Sequence, residues 1–267
     1  MNVPYFQVDA FTDRAFAGNP AGVCLLDDVL LTDDQLRSVA AEINQSETAF
    51  LWPEQDGFRL RWFTPTVEVE LCGHATLASA NVLWQTGRIA PGTPIRFQTL
   101  SGELRATAGP GDWIELDFPA RFGSRADLPE GLPKALGVRP VSAYFMHDRY
   151  LIEVTTEEEV RTMAPDFRAL AQFDNTIVTA RANPGSGFDF ISRFFAPKSG
   201  IDEDPVTGSA HCCLATYWSD RLGKTDFLAY QASQRGGILK VSLQGERVKL
   251  AGRAVTLIEG MLRLPAN

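Results

Sequence analysis

"RWFTPTVEVELCGHA" (61–75) and "RFFAPKSGIDEDPVTGSA" (193–210) are two versions of one pattern. Arg61, Phe63 and Pro65 recur at the same spacing as Arg193, Phe195 and Pro197, and each copy runs on into a Gly-x-Ala step. That step is Gly73-His74-Ala75 in the first copy and Gly208-Ser209-Ala210 in the second. The stretches that follow, "HATLASANVLWQT" and "SAHCCLATYWSDRL", are small or apolar on nearly every face for two turns, and each stops near a glycine, Gly87 or Gly223. A surface helix is amphipathic, so both helices are expected to be enclosed by other structure. With strands dominating each half, the pattern predicts an α+β architecture in which a curved, barrel-like sheet wraps a central helix, built twice.

The flanking sequence fits two such halves, residues 1–120 and 121–267, with the last residues crossing back to the first half. "PYFQVDAF" reads as a strand, "AGNPAG" as a turn, and "LTDDQLRSVAAEIN" as a helix with a Thr32/Gln35 capping box and Leu36, Val39, Ala40 and Ile43 on one face. "SETAFLW" and "FRLRWF" alternate as strands, with Pro53 and Gln55-Asp56-Gly57 at the turn between them, and a meander follows through "PIRFQTL", "ELRATA" and "DWIELDF". "PARFGSRADLPEGLPKALG" (119–137) is the best linker candidate by composition. The order then repeats: strands over "VSAYFMH" and "RYLIEVT", short helices over "EEEVRTM" and "FRALAQF", strands over "NTIVTA" and "FDFISRFF". A last meander covers about 227–264.

Composition removes several classes of function. The 267 residues carry a net charge of −8, which argues against nucleic acid, whose binders need a basic face. The N-terminus has no basic leader, and no apolar run reaches membrane-spanning length, so the expectation is a cytoplasmic protein without a membrane partner. Cys24, Cys72, Cys212 and Cys213 do not suggest a disulfide framework. No metal site is expected: His74, His147 and His211 lack His-x-x-x-His spacing, and a helix turns adjacent Cys212 and Cys213 about 100° apart. Nor is there a Gly-x-Gly-x-x-Gly or Walker sequence, so no nucleotide cofactor is indicated. His147, in the turn "FMHDRY", should be solvated, and His211 should pack or cap in the second helix.

A helix start carries unpaired N–H groups and partial positive charge, and glycine lets an anion approach them. Two such starts facing one another would hold a small carboxylate, which makes Gly73, Ala75, Gly208 and Ser209 candidate binding residues. Cysteines in both copies would suggest a two-thiol racemase, but Thr207 stands where the second thiol would be, and a threonine hydroxyl cannot serve as that acid or base. Glu47, at a helix–strand junction in "NQSETAF", is the alternative acid/base; on the residues alone an exposed strand-end charge is the commoner role for such a residue.

"GNPAGV" (18–23), "NQSETAF" (44–50), "ELCGHATLASA" (70–80) and "DEDPVTGSAH" (202–211) together resemble the PhzF family, named for the phenazine-biosynthesis isomerase. The motifs lie in family order and span most of the chain. The resemblance implies the diaminopimelate epimerase fold: two similar domains, each a barrel-like sheet around a helix, with the site between them. It implies a homodimer, and no metal or organic cofactor, as in the member that isomerises trans-2,3-dihydro-3-hydroxyanthranilate. It further implies that Glu47 moves a proton between two carbons on one face of the substrate. In that reading His74 and Asp204 hold the substrate and relay protons, and the backbone at Gly73, Gly208 and Ser209 anchors a carboxylate. Cys72 matches one catalytic thiol of the related epimerases and, lacking a partner thiol, is read as an inert packed residue. Two functions follow as expectations: a cofactor-independent isomerase or epimerase of a small carboxylated metabolite, or a binding protein that keeps the cleft without turnover.

Overall fold

Both copies of the repeat fold into an antiparallel strand pair, a short third strand and a buried helix. The computed structural model describes residues 1–27 and 31–264. The chain divides into two units, Met1–Asp117 with the segment from Ala251 onward, and Phe118–Leu250.

In the first unit, β1 (Asn2–Ala10) pairs antiparallel with β2 (Asn19–Leu25). Helix α1 (Asp33–Ile43) follows, with the capping box formed in full: Gln35 N–H donates to the Thr32 hydroxyl, and the Gln35 side chain accepts from Thr32 N–H. Its Leu36, Val39 and Ala40 are buried and pack with Val3, Cys24, Phe50 and Phe63. Next come β3 (Thr48–Glu54), parallel to β2, then β4 (Gly57–Phe63) and β5 (Glu68–Val69), each antiparallel to its predecessor. Helix α2 (Gly73–Gln85) has nine of its 13 residues buried, leaving it no solvent face of the usual width. It packs on β1, β2 and β3. The strands β6 (Ile95–Thr99), parallel to β4, β7 (Gly102–Ala108) and β8 (Ile114–Pro119) form the meander.

The second unit repeats this order. After β9 (Ser124–Arg125) and α3 (Leu132–Leu136), β10 (Ser142–Met146) and β11 (Arg149–Glu153) form a hairpin whose turn residue His147 is exposed with φ 65°. Short helices α4 (Glu157–Thr162) and α5 (Phe167–Leu170) take the place of α1, each capped by a side chain, Thr156 or Asp166. Strand β12 (Thr176–Arg181) runs parallel to β11, and β13 (Phe190–Ala196) and β14 (Ile201–Glu203) follow antiparallel. Helix α6 (Gly208–Leu222) is the second enclosed helix; its Trp218 stacks on Phe190 at 5.7 Å between ring centroids, with planes 7° apart. The strands β15 (Asp226–Gln231), parallel to β13, β16 (Gly237–Gln244) and β17 (Arg247–Gly252) close the repeat. Finally β18 (Ala254–Arg263) returns to the first unit, pairs with β1 from Arg263 opposite Asn2 to Ala254 opposite Ala10, and covers α2.

The structure corrects three local expectations. "AGNPAG" is not all turn, because β2 begins at Asn19; Pro53 likewise lies inside β3 rather than in the turn. Both prolines are tolerated for one reason. Gly22 N–H points toward β3 and Leu51 C=O toward β2, so Pro20 and Pro53, two residues away in each strand, face the same gap. The β2–β3 register runs only over Gly22–Leu25 and Thr48–Leu51, so neither missing N–H falls in the paired stretch. The stretch 119–137 is not a free linker either: it holds β9 and α3, and Leu132, Ala135 and Leu136 are buried in the second core with Ile152, Val178 and Phe195. Among the described residues, no helix is long and apolar enough to cross a membrane.

The repeated Arg-x-Phe acquires a physical role. Arg61 on β4 forks onto Glu68 of β5, with Nε and Nη2 each 2.7 Å from a carboxylate oxygen, and Arg193 on β13 forks onto Glu203 of β14 at the same two distances. Each guanidinium also lies over the repeated phenylalanine, 5.0 Å from the ring of Phe63 or Phe195. In both units this clamp ties down the short strand that leads into the enclosed helix.

Candidate active site

Local structure fixes Glu47 before its side chain matters. Asn44 ends α1 in the left-handed region (φ 54°, ψ 38°), which asparagine tolerates, and donates its N–H back to Ala40. Three residues later the Glu47 carbonyl accepts from Gly22 N–H at 3.3 Å, at the point where β3 starts. The approach at Gly22 is tight: a Cβ would come within 3.1 Å of the Thr48 hydroxyl and 3.2 Å of Ile43, so either side chain would have to give by a few tenths of an ångström. The glycine of "GNPAGV" therefore brings β2 close to the backbone that carries Glu47.

The other half of the site comes from the start of α2. Cys72 is its N-cap in extended conformation (φ −141°, ψ 108°), and its carbonyl accepts from both the N–H and the hydroxyl of Thr76. No side chain caps the helix, so its first-turn N–H groups are not claimed by a cap oxygen. His74 places Nε2 3.4 Å from Glu47 Oε2 and 3.5 Å from the Ser46 hydroxyl, and Nδ1 3.5 Å from Cys72 Sγ. The His74 side chain is 6% exposed and that of Glu47 16%. Burial pushes the Glu47 carboxyl above the usual carboxylate range, opposed in part by a hydrogen bond from Ser46. A carboxyl group whose charged form is disfavoured by burial, set beside an imidazole, has the environment of a proton-transferring group. Glu47, Cys72 and His74 also offer ligand atoms that all lie within 4.8 Å of one another, a grouping that His-x-x-x-His spacing could not reveal.

The remaining expected site residues lie in the second unit. Thr207 is the N-cap of α6, as Cys72 is of α2, but its hydroxyl donates to the Asp204 carboxylate instead of capping. Gln231, fully buried, holds this turn: Oε1 accepts from Thr207 N–H at 2.8 Å, and Nε2 donates to the Asp204 carbonyl at 2.7 Å. Gly208 and Ser209 open the helix, and the Ser209 hydroxyl accepts from Arg149 Nη1 at 2.9 Å. Arg149 is itself buried, forked onto Asp148, and lies over Phe194. His211 has its ring in the core, with Nδ1 2.8 Å from the Thr207 carbonyl. The structure thus gathers Glu47 and His74, with Gly73 and Ala75 on the same helix turn, and separately gathers Asp204, Gly208 and Ser209 around Thr207.

Three residues of these clusters were not singled out by sequence reasoning: Ser46, Arg149 and Gln231. Arg149 left a trace, since it shares strand parity with the buried Leu151 in "RYLIEVT". Gln231 left none, because its partners sit 24 to 27 residues away.

Comparison with known proteins places this geometry in context. A family model described as phenazine biosynthesis-like protein, PhzC-PhzF, matches residues 8–260. An uncharacterized isomerase of Halalkalibacterium halodurans is 49% identical over 266 residues, covering 99% of this chain and all of the relative. The crystal structure of a PhzF family protein from Enterococcus faecalis superposes with a TM-score of 0.93 at 40% identity, covering 99% of this chain and all of the other. A hydroxyproline epimerase from Agrobacterium vitis, at 14% identity, matches with a TM-score of 0.61 over 98% of this chain and 92% of its own. That last likeness is one of fold alone, the diaminopimelate epimerase-like fold.

Proposed function

Because the chain belongs to the phenazine biosynthesis-like PhzC-PhzF family, we propose that it is an isomerase that moves a proton on a small carboxylated metabolite without a cofactor, with Glu47 as the acid/base. The observation that carries this reading is the Glu47 carboxyl itself, largely withdrawn from water, with a raised pKa, 3.4 Å from the His74 ring. The base form of Glu47 accepts a proton from a substrate carbon next to an electron-withdrawing group. The electron pair released moves into the adjacent π system. The carboxylic acid so formed returns the proton to the same carbon, giving epimerisation or exchange, or to a carbon further along, giving a shifted double bond. His74 orients the carboxylate and relays protons. The backbone N–H groups at Gly73 and Ala75, at the positive end of α2, hold the substrate carboxylate. In the second unit Asp204, Gly208 and Ser209 form the corresponding helix start, where Gln231 positions Asp204.

The substrate class follows from the same features: an uncapped helix start favours an anion, and an acid/base of this kind needs a carbon acid whose conjugate base is delocalised. A dihydro-hydroxyanthranilate-like ring acid meets both requirements. The test is exchange of a substrate C–H proton in deuterated water. Carboxylated metabolites are first screened for thermal stabilisation of the protein, and those that bind are followed by proton NMR. Wild type should exchange, and Glu47→Gln should bind the same compound but exchange about 10²–10⁴-fold more slowly, the usual worth of a positioned acid/base. Exchange at the wild-type rate in Glu47→Gln would remove the role of Glu47. Stabilisation of wild type without any exchange would instead select a binding protein.

A further inference from the structure

The return strand β18 has β1 along one side, and that ladder is the one it makes among the described residues; its other side is a sheet edge. One residue interrupts the ladder. Gln7 faces Ile258 and Val8 faces Thr256, so Leu257 is an extra residue, a bulge. Beyond it, residues 258–263 keep an unbroken register to Arg263 opposite Asn2. An edge of that length is a template for another strand unless it is covered or kinked. Exposed apolar side chains gather on it: Met261 is 55% exposed, Ile258 48%, and Met1, bonded to Leu264 at the end of the ladder, 37%.

The end of the ladder fixes the backbone phase of the edge. Leu264 N–H donates to the Met1 carbonyl at 2.8 Å, and the Met1 amino group donates to the Leu264 carbonyl at 2.6 Å. In an antiparallel pair the bonded residues alternate, so Leu262, Gly260 and Ile258 turn their backbone groups toward β1. Glu259, Met261 and Arg263 turn theirs outward, and their exposed side chains share one face. Glu259 and Arg263 make no ion pair among the described residues. Four residues apart on one strand, they stand about 13 Å from each other, too far to pair within the chain.

A second β18 laid antiparallel on this edge about a two-fold axis has the same phase, so the axis falls on a residue, not between two. Centred on Glu259 or Arg263, the pair sets like charges opposite each other, which is destabilising. Centred on Gly260 or Leu262, it sets Met261 opposite one charge and leaves the other unmatched. Centred on Met261, it sets Glu259 opposite Arg263 twice and Met261 opposite itself, every pair with its backbone groups facing. From this match we propose that the outer edge of β18 is the docking surface for a second copy of this chain, joined antiparallel about a two-fold axis at Met261. The motifs that mark the family lie elsewhere in the chain and specify neither the strand nor the register. The surface does not depend on the role of Glu47.

Sedimentation velocity of the full chain reads the association directly. Wild type should sediment as a dimer across the micromolar range. Glu259→Arg sets arginine against arginine in both charged pairs, and Arg263→Glu sets glutamate against glutamate; each should raise the dimer dissociation constant at least about tenfold. The double variant Glu259→Arg/Arg263→Glu restores opposite charges and should return to within about threefold of wild type. Both side chains are exposed, so the fold should survive each change. A covalent test reads the axis itself. Residues in a hydrogen-bonded antiparallel pair have Cα atoms about 5.5 Å apart, within disulfide reach, so Met261→Cys should cross-link two copies under mild oxidation. Ile258→Cys, set far from its own copy in this register, should not. The native cysteines are buried and free, and so do not compete. A monomeric wild type, or single variants that associate as wild type does, would overturn the surface. A double variant as weak as the singles, or cross-linking no faster through Met261→Cys than through Ile258→Cys, would overturn the register.

Discussion

Two side chains, one in each unit, set opposite limits on stability with pH. Burial raises the Glu47 carboxyl above its unfolded value, so at pH values above the ordinary carboxylate range the folded chain binds more protons than the unfolded one. Its contribution is therefore present in acid and lost as pH rises through the raised pKa. Glu47→Gln removes that loss. Its urea midpoint should exceed that of wild type at about pH 8, with the difference shrinking to nothing near about pH 4. A wild type more stable than the variant at pH 8 would contradict the buried charge. His211 works the other way: enclosure pushes its ring down from 6.5 to about 4. Between these values the unfolded chain takes up a proton that the folded chain refuses, so stability falls by about 3 kcal/mol as pH drops through the window. His211→Asn, which can keep the bond to the Thr207 carbonyl, should flatten this acid slope in the same urea series. An unchanged slope would mean that the ring is protonated in place. The residues proposed for chemistry were the ones the motifs could carry. Glu47 and His74 stand in short distinctive strings, whereas Gln231 and Arg149 matter only through partners remote in sequence.

At the level of elements, the repeat announced two arginines but not what they hold. Glu68 follows Arg61 by seven residues and Glu203 follows Arg193 by ten, because β13 and β14 meet across a register shift and a short 3₁₀ turn at Pro197–Ser199 lengthens the connection. No fixed spacing links the pairs, so only the fold aligns them. The two clamps should not be equal in strength. Arg193 also donates to the Met163 carbonyl at 2.8 Å, and its side chain is 11% exposed. Arg61 is 17% exposed, and its additional partner is the exposed Asp33. Arg193→Ala leaves a half-buried carboxylate and a carbonyl without their donor, and should cost about 3–5 kcal/mol in chemical denaturation; Arg61→Ala should cost about 1–3. Equal losses would show that burial does not separate the clamps. Composition misled at 119–137 for a related reason: proline, glycine and charge mark a linker, but Leu132 and Leu136 sit one helical turn apart and face a core supplied by strands that come later.

Over the whole chain, the two-fold repetition was legible because each half must enclose a helix that is apolar all round, and few arrangements other than a wrapped sheet do so. What the repetition did not disclose was how fully the first unit depends on the last strand. β18 pairs with β1 along the whole length of that strand, and Leu262 and Leu264 pack on the core around Phe50 and Phe63. Among the described residues, the second core, from Leu132 and Ile152 through Val178 and Phe195 to Ala232, takes none from that segment. A chain ended at Arg253 therefore strips one unit and spares the other. Hydrogen exchange read by mass spectrometry should show β1, β2 and α1 losing most of their protection, with β12 and β13 keeping theirs, since local stability follows the apolar contacts that each element retains. The same truncation should abolish any proton exchange that depends on Glu47, because β3 loses the β1–β2 pair against which its start is registered. Equal loss of protection in β12 and β13 would contradict two separately supported cores. Unchanged protection in β1 would mean that β2 and α2 suffice to hold it, and that the long return of the chain serves some purpose other than completing the first unit.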